Sequence, residues 1–563
     1  MRPVNLTAAA GLNEAAGPGV ISSEGYGRVK TGRAGRGEIV TRSRTAVLVL
    51  MALSTAVACA SAGRAVVSPA PPPFDWPARL TEADALYAAG HYTALRDAQR
   101  IYGEALKSIA SKPNVAEKYL RTSIALELRK KDLGILTAGP AADLDALTAV
   151  DPALARYASW LELVAGLPNK IKGSPGIDQT GGRALDAQLD WIKVRVTAID
   201  RELEAAAQTD DLAGALRLTL RREFFFRFED KLDRKALLDR YPGSRLVAFQ
   251  AAVCLAFEAK ELEDLLALDK GFSEAHYYLG EDALMAGKLL TAEDHYLAVT
   301  EKIPESLSVL ISLAKVAFQM EENEACLAYN EQALAVLPTY RDALLGKGLA
   351  LGYLGRNEEA LAVLGRLLEL GTYYMGEGNY WAAWNLNELG RLEEARKSIE
   401  SAKIFLVGVS DVAALSGIIA YRQGRSDDAE RDLREALDLD PAASDAAYYL
   451  GKLYADRKAW LDSGIYFAGA AITYEDKEKG LEKKIGEIEG SEMSPDRKAR
   501  LVAKKRAQIL GVQVIKATCQ YNGAAGYHNA GSFERALELA RFAAAHPAFA
   551  EKAAELIKII QNR

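Results

Sequence analysis

The sequence contains few of the residues that enzymes use for metal binding or nucleophilic catalysis. Its 563 residues include five histidines and four cysteines, and none stands in an HExxH or Cys-His spacing typical of a zinc site. It also lacks a G-x-S-x-G elbow, a Walker A loop and a Rossmann glycine cluster after a strand. We therefore expect no catalytic residue, no metal and no cofactor.

The few histidines and cysteines are more simply explained by packing. His276 and His295 lie in or beside predicted helices, where packing or solvent exposure is a simpler explanation than catalysis. Cys254, Cys326 and Cys519 also fall inside predicted helices. We expect these cysteines to be buried thiols, with a disulfide or a reactive role as the alternative.

Positive charge is also scarce. The formal net charge is −6, and it becomes −10 when residues 1–58, with seven basic and three acidic residues, are set aside. An acidic chain without a basic stripe argues against binding to nucleic acid.

The N-terminal segment resembles a leader. Residues 1–39 are rich in Gly, Ala and Arg without periodicity, and residues 40–58 combine two arginines with an apolar run. That run is short for a membrane span and suits a signal peptide. Because leaders normally begin at the start codon, we interpret 1–39 as a mis-annotated start, with a genuine disordered extension as the alternative.

Cys59 ends this apolar run. The motif AVAC resembles the lipobox of bacterial lipoproteins, whose cysteine is acylated, although Leu is commoner where Ala56 stands. Ordinary cleavage after Ala58 or Ala62 is the alternative. Residues 59–79, which include SPAPPPFDWP, then form a proline-rich tether behind the lipid anchor. We expect a cell-envelope lipoprotein, or a secreted or periplasmic chain if Cys59 is not acylated.

The central part of the chain repeats every 34 residues. Three blocks that start near Ser273, Leu307 and Arg341 overlay without a gap. Small residues at fixed offsets let two antiparallel helices approach closely, and glycine suits the turn between them. The period is typical of a helix-turn-helix solenoid. The small-residue columns hold Gly280, Ala314 and Gly348, and Ala292, Cys326 and Ala360.

These blocks resemble the tetratricopeptide repeat (TPR) family, and seven units can be recognised between Ser273 and Ala550. The resemblance implies an all-α, right-handed superhelical solenoid of antiparallel helix pairs. Three residues depart from the family pattern, namely Lys347, Asn330 and Lys458, the last of which replaces the turn glycine.

The repeat phase divides the rest of the chain. We assign 80–272 to a diverged helical repeat region, 273–477 to six units, 478–516 to an extended helical hairpin, and 517–563 to the last unit with a C-terminal capping helix. The glycine-rich loop from Pro168 to Gly182 is interpreted as a solvated connector rather than a phosphate cradle, because it lacks the Gly-Lys-Ser/Thr ending of a P-loop.

The hairpin interrupts the phase after Trp460, where the second helix of a unit continues into a charged segment. Ser494, Pro495 and Asp496 then suit the start of a new helix, which we predict to run from Pro495 to Asn529. The hairpin is either a solvated spacer or a docking arm that protrudes from the array.

The resemblance also implies a concave groove lined by the first helix of each unit. A groove rich in aromatic residues suits a peptide segment or an apolar ligand, although each side chain could equally cover a neighbouring helix. The expected groove residues are Tyr277, Phe318, Tyr353, Tyr380, Trp384, Tyr421, Arg422, Tyr448, Lys452 and Tyr521.

We therefore expect a membrane-tethered scaffold that binds another envelope protein or peptide segment, in envelope assembly or the organisation of a complex. Tyr277, Glu281 and Tyr448 stand where the family's carboxylate clamp needs Lys and Asn, which argues against a ligand with a C-terminal Glu-Glu-Val-Asp sequence. The alternative function is a periplasmic ligand-handling subunit of a solute transporter, which a closed pocket among Tyr353, Tyr380 and Trp384 would favour.

Overall fold

The computed structural model shows an array of helices that pack mainly against the next helix along the chain. No strand occurs in the part of the chain that the structure describes. This sequential packing of antiparallel pairs confirms the predicted all-α solenoid. The structure describes residues 75–108, 113–136, 144–166, 199–224, 231–254 and 259–562.

Several sequence predictions lie outside the described residues. They concern the extension at 1–39, the signal peptide at 40–58, Cys59 and the loop from Pro168 to Gly182. The end of the predicted tether is described, and there the prediction is wrong. Pro77 is the second residue of the first helix, because the Asp75 carboxylate caps that helix by accepting a hydrogen bond from the Ala78 N–H at 3.1 Å.

Ten helices precede the regular units in the described ranges. They are α1 (Trp76–Ala89), α2 (Tyr92–Ser108), α3 (Pro113–Leu133), α4 (Leu144–Val150), α5 (Ala155–Gly166), α6 (199–206), α7 (Asp211–Phe224), α8 (Lys231–Arg240), α9 (Arg245–Cys254) and α10 (Ala259–Leu268). A 3₁₀ turn at Pro152–Leu154 leads into α5.

Seven helix pairs follow, which we number units 1 to 7. Their first helices are α11 (Ser273–Met285), α13 (Leu307–Gln319), α15 (Arg341–Tyr353), α17 (Met375–Glu388), α19 (Ser410–Arg422), α21 (Ser444–Asp456) and α23 (Pro495–Asn529). Their second helices are α12 (Leu289–Thr300), α14 (Asn323–Val336), α16 (Asn357–Glu369), α18 (Leu392–Phe405), α20 (Ser426–Leu439), α22 (Trp460–Gly490) and α24 (Phe533–Ala544). The last helix, α25 (Ala550–Gln561), packs on α24.

The small-residue columns mark the closest approach between the two helices of a unit. A Cβ atom added to Gly417 would lie 2.6 Å from Leu433 Cγ, and one added to Gly280 would lie 2.6 Å from Tyr296 Cε1. The second column is buried throughout, with Ala292 and Ala360 fully inaccessible to solvent. These columns therefore set the interhelical distance, as the sequence pattern predicts.

The turn between the two helices of a unit contains one residue with left-handed backbone geometry. In five units this residue is glycine, with φ between 72° and 82°. Units 2 and 6 instead have Glu321 at φ 60° and Lys458 at φ 59°. Left-handed backbone geometry is about 1–2 kcal/mol less favourable for a residue with a side chain than for glycine, so the turns of units 2 and 6 are less stable than the glycine turns. The five glycines are Gly287, Gly355, Gly390, Gly424 and Gly531.

The other two departures from the repeat pattern form local polar contacts. Asn330 is buried and donates a hydrogen bond from Nδ2 to the Cys326 carbonyl at 2.8 Å. Lys347 pairs with Glu331 on the neighbouring helix at 2.8 Å. Each residue is thus accommodated within the array without changing the length of its unit.

The predicted long helices are confirmed. α22 continues to Gly490 and α23 runs from Pro495 to Asn529, with the Ser494 hydroxyl as its N-cap. The outer halves of the two helices form a hairpin, and we call residues 475–512 the strap. The two helices run antiparallel, and directly beyond the base of the strap Gln513 and Lys516 of α23 both contact Glu478 of α22.

Candidate functional site

Aromatic side chains from three consecutive first helices form a continuous cluster. The Tyr353 ring on α15 lies 5.4 Å from Phe318 on α13 and 6.0 Å from Trp384 on α17, between centroids. Tyr380 joins through Trp381, at 5.2 Å. We call these five residues the aromatic cluster. It includes four of the predicted groove residues and Trp381, which the family positions did not indicate.

The cluster combines buried and accessible rings. Trp384 is only 5% exposed, whereas Phe318, Tyr353, Tyr380 and Trp381 are half-buried. Burial raises the pKa of Tyr353 to about 12, and burial together with the Asp411 carboxylate also raises the pKa of Tyr380. The phenols therefore stay neutral, and the cluster offers a partner an apolar surface with polar hydroxyl edges.

A second group of rings lies further along the array, on α19 and α21. The Lys452 ammonium lies 5.2 Å from the Tyr421 ring centroid and 5.8 Å from that of Tyr448. Tyr449 lies between these rings, at 5.5 Å from each, and sequence reasoning missed it. The Lys452 ammonium therefore makes cation–π contacts with all three rings.

Two of the remaining predicted groove residues form packing contacts. Arg422 donates to the carbonyl oxygen of Asn387 at 2.6 Å and to its side-chain oxygen at 2.9 Å, which joins units 4 and 5. Tyr521 is 8% exposed and lies against Phe549 in the core of the last unit. Both residues therefore pack on neighbouring helices, which is one of the two roles that the sequence left open.

The third, Tyr277, is half-buried and packs against a core cluster that includes residues of the N-terminal region. Helix α3 packs against α11 and α13, the first helices of units 1 and 2. The chain reaches this face at Leu133, whose carbonyl accepts a hydrogen bond from the Ser306 hydroxyl at 2.6 Å. The first two units therefore present part of their inner face to the chain itself.

Buried charges anchor α3 in this position. Asp132 accepts hydrogen bonds from Arg222 at 3.0 Å and from the Tyr278 hydroxyl at 2.8 Å. Arg129, which is 1% exposed, lies 3.7 Å from the fully buried Glu274. Glu274 also accepts a hydrogen bond from the Tyr92 N–H at 2.6 Å, and burial raises its pKa to about 7. Separating these groups would leave charges buried without partners.

The strap returns to the beginning of the array. Arg497 donates from Nη1 to Glu293 at 2.6 Å and from Nε to Glu322 at 2.9 Å. Lys505 pairs with Glu321, and Gln508 donates to the same carboxylate at 2.8 Å. The hairpin thus contacts its own chain, on α12 and the turn between α13 and α14.

The family model described as tetratricopeptide repeat matches residues 345–405 and 415–477, which correspond to parts of units 3 to 6 in the structure. These segments carry helix pairs of 34 or 35 residues, with small-residue columns and left-handed turns like those of their neighbours. The chain is a tetratricopeptide-repeat protein. Such arrays are scaffolds for protein–protein interaction and bind protein or peptide partners.

Solved tetratricopeptide structures resemble parts of the chain. One is a tetratricopeptide repeat protein from Parabacteroides merdae, at 14% identity, covering 48% of this chain and 98% of that one, with a TM-score of 0.34. YrrB, described as having an unusual peptide-binding site, is 21% identical and covers 34% of this chain and 97% of its own, with a TM-score of 0.27. MamA from Desulfovibrio magneticus is 17% identical, and the match covers 30% of this chain and 93% of that one, with a TM-score of 0.26. No curated protein matches the chain.

Other features of the tetratricopeptide protein bear on metal and membrane binding. Among the described residues, no three histidine, cysteine or acidic side chains are placed to hold a metal ion. His276 and His295 face each other, with their Nδ1 atoms 2.9 Å apart. None of the helices in the described ranges has the length and apolar character needed to span a bilayer.

A cavity of about 350 Å³ lies in the N-terminal half of the tetratricopeptide protein. Its walls include Tyr87 and Tyr241 beside Asp211, which the Arg121 guanidinium holds at 2.9 Å. Tyr353, Tyr380 and Trp384 are not among its lining residues, so this cavity is distinct from the aromatic cluster.

Proposed function

We propose that this protein is an exported, membrane-tethered scaffold that binds a segment of a cell-envelope protein through the aromatic cluster. The observation that carries the proposal is the continuity of the cluster across α13, α15 and α17. A row of rings on successive helices extends along the array, which suits an extended or helical segment better than a compact solute. Aromatic rings also lose little side-chain entropy when they bind.

The polar surroundings support a protein segment as the ligand. Two carboxylates act on the cluster, since Glu321 and Asp411 both raise the pKa of Tyr353 and Asp411 also raises the pKa of Tyr380. A partner with apolar side chains flanked by basic ones would complement both features. We assign no catalytic role to the chain. The cavity beside Tyr87 does not favour the solute-handling alternative, since that function requires a closed pocket within the cluster.

The test removes two half-buried rings that pack on the core, so the urea midpoint of each variant is measured beside partner recovery. We expect the Tyr380→Ala/Trp381→Ala variant to lower recovery of cross-linked envelope partners at least ~10-fold, because aromatic anchors at interface centres contribute about 2 kcal/mol or more each. Recovery is measured by quantitative mass spectrometry after pull-down of the full chain. Trp384 is kept, since its burial makes it a structural residue.

The matched control is Tyr373→Ala. Tyr373 is 65% exposed and lies in the connection before α17, outside the cluster. This variant should recover partners as the parent chain does. Equal recovery from all three proteins, with unchanged urea midpoints, would refute the cluster as a binding surface.

Anchoring is proposed from the sequence and has its own test. If Cys59 is acylated, a radiolabelled fatty acid should enter the parent chain and not the Cys59→Ser variant. Incorporation into both would show that the anchor lies elsewhere, without bearing on the aromatic cluster.

A further inference from the structure

The strap joins two distant parts of the array. It leaves the array at unit 6 and contacts α12 and the α13–α14 turn, in units 1 and 2. The paired residues are 175 and 204 positions apart for Arg497 with Glu322 and Glu293. Units 3, 4 and 5 lie between the two attachment points along the chain. The strap therefore links the two ends of the stretch of chain that carries most of the aromatic cluster.

Glu321 is the central attachment point, and its unusual backbone geometry suggests that the glutamate is kept for its side chain. It has φ 60° at the turn position where five other units have glycine. Glycine would form this turn without the cost of about 1–2 kcal/mol that a side chain imposes. Glutamate supplies what glycine cannot, namely a carboxylate that binds Lys505 and Gln508 of the strap. Strained positions of this kind often serve function rather than folding.

The attachments are ionic and differ in their shielding from water, since the Lys505 side chain is 5% exposed and its partners are more accessible. The side chains of Glu321 and Arg497 are 29% and 19% exposed, and Lys484 adds a looser contact to Glu321 at 3.9 Å. Ion pairs at such sites are weakened by salt and by competing charges. The closed state is thus held by contacts that can be exchanged, unlike the apolar packing within each unit.

The attachment at Glu321 adjoins the aromatic cluster, because the Glu321 N–H donates a hydrogen bond to the carbonyl of Phe318 at 2.9 Å. The Glu321 carboxylate also raises the pKa of Tyr353, the ring that lies next to Phe318. A partner segment that follows the cluster as far as Phe318 would therefore meet the strap at Glu321.

We propose that residues 475–512 form a releasable strap, whose ionic attachment to Glu293, Glu321 and Glu322 controls access of a partner segment to the aromatic cluster. The part of this inference that concerns access rests on the proposed function. The part that concerns opening does not, and it can be measured on the isolated protein.

Opening is measured as a distance between two spin labels. Cysteines are introduced at Glu492, near the tip of the strap, and at Ala328, on the exposed side of α14, in a Cys59→Ser background. Both positions are exposed, whereas the described native cysteines are buried. Pulsed electron paramagnetic resonance of the full chain then reports the distance distribution at low and high salt.

Two variants release the strap in different ways, and each has a matched control. Arg497→Glu reverses the charge at the tip, and Arg500→Glu makes the same change at an exposed position on the same helix. Glu321→Gly removes the carboxylate while relieving the turn, and Lys458→Gly relieves the equivalent turn in unit 6. Glu321→Gly cannot fail by misfolding of the turn, because glycine is the usual residue there.

We expect Arg497→Glu and Glu321→Gly to increase the long-distance population at least ~10-fold, since each leaves partly buried charges without partners. High salt should shift the parent chain in the same direction. Both controls should keep the parent distribution, and adding Glu322→Arg to Arg497→Glu should restore the short distance. If both release variants keep the parent distribution, the hairpin is a fixed element and the strap is refuted.

Access is tested by partner recovery from envelope extracts. The released variants should recover cross-linked partners ~10-fold better than the parent chain, because affinity falls with the fraction of binding-competent protein. Longer distances with unchanged recovery would overturn control of access. If the Tyr380→Ala/Trp381→Ala change has no effect even in a released variant, the proposed function fails while the measured opening stands.

Discussion

The small-residue column yields a quantitative prediction for Gly417. A Cβ atom at this position would lie 2.6 Å from Leu433 Cγ and 2.9 Å from the backbone nitrogen of Leu433. A flexible side chain could move aside, but the backbone contact requires displacement of α20 from α19. Overpacking of this kind costs about 3 kcal/mol at the upper end of its usual range.

The intrinsic helix preference acts in the opposite direction. Alanine favours a helix over glycine by about 1 kcal/mol, so Gly417→Ala should lower the free energy of unfolding by about 2 kcal/mol. Gly469→Ala is the matched control, because Gly469 is exposed on helix α22 and an added Cβ meets nothing within 4 Å. That change should stabilise the protein by about 0.5–1 kcal/mol.

Urea unfolding followed by far-ultraviolet circular dichroism measures both variants. The two midpoints should move in opposite directions from that of the parent chain. The slope of the transition must be compared as well, because a repeat array can lose two-state behaviour. A Gly417→Ala protein as stable as the control variant would show that the column does not set the distance between α19 and α20.

Two further predictions concern buried groups. Burial raises the pKa of Glu274 to about 7, so the folded state binds a proton more tightly than the unfolded state, and the free energy of unfolding should fall as the pH rises from about 4.5 to 7. Urea midpoints measured across this range should fall less for Glu274→Gln than for the parent chain. Parallel curves for the two proteins would contradict the assignment. Cys326 and Cys519 are buried, with the thiol pKa of Cys326 raised to about 11, so alkylation followed by mass spectrometry should modify them only in denaturant; rapid modification in the folded protein would refute their burial.

Local features of this fold could be predicted from sequence because each depends on neighbours within one unit. The contact between Gly417 and Leu433 spans 16 residues, and the Ser494 cap acts within one helical turn. Lys458 could be recognised as a substitute for glycine because the 34-residue phase assigns it to the turn. Such features recur, so one unit predicts the next.

The arrangement of the site could be predicted only in part. Trp381 and Tyr449 were missed because the family positions select neighbouring residues, and the structure places both between predicted rings. The coverage of Tyr277 by α3 and the contact of Arg497 with Glu293 depend on three-dimensional curvature. No repeat pattern encodes which charges meet across 204 residues. The sequence offered one signal, since Glu321 stands 34 residues after Gly287, at the position of a turn glycine.

The strap also has a consequence for the order in which the protein folds. Most contacts in the array join adjacent helices, so nucleation can begin in any unit and spread to the next. The pairing of Arg497 with Glu293 instead requires closure of a very long loop. The entropy lost on closing this loop is small enough for the pair to form only after the intervening units have folded. On a chain synthesised from its N-terminus, the acidic attachment points exist well before Arg497 is made. Strap closure is therefore a late event that reports completion of units 1 to 6.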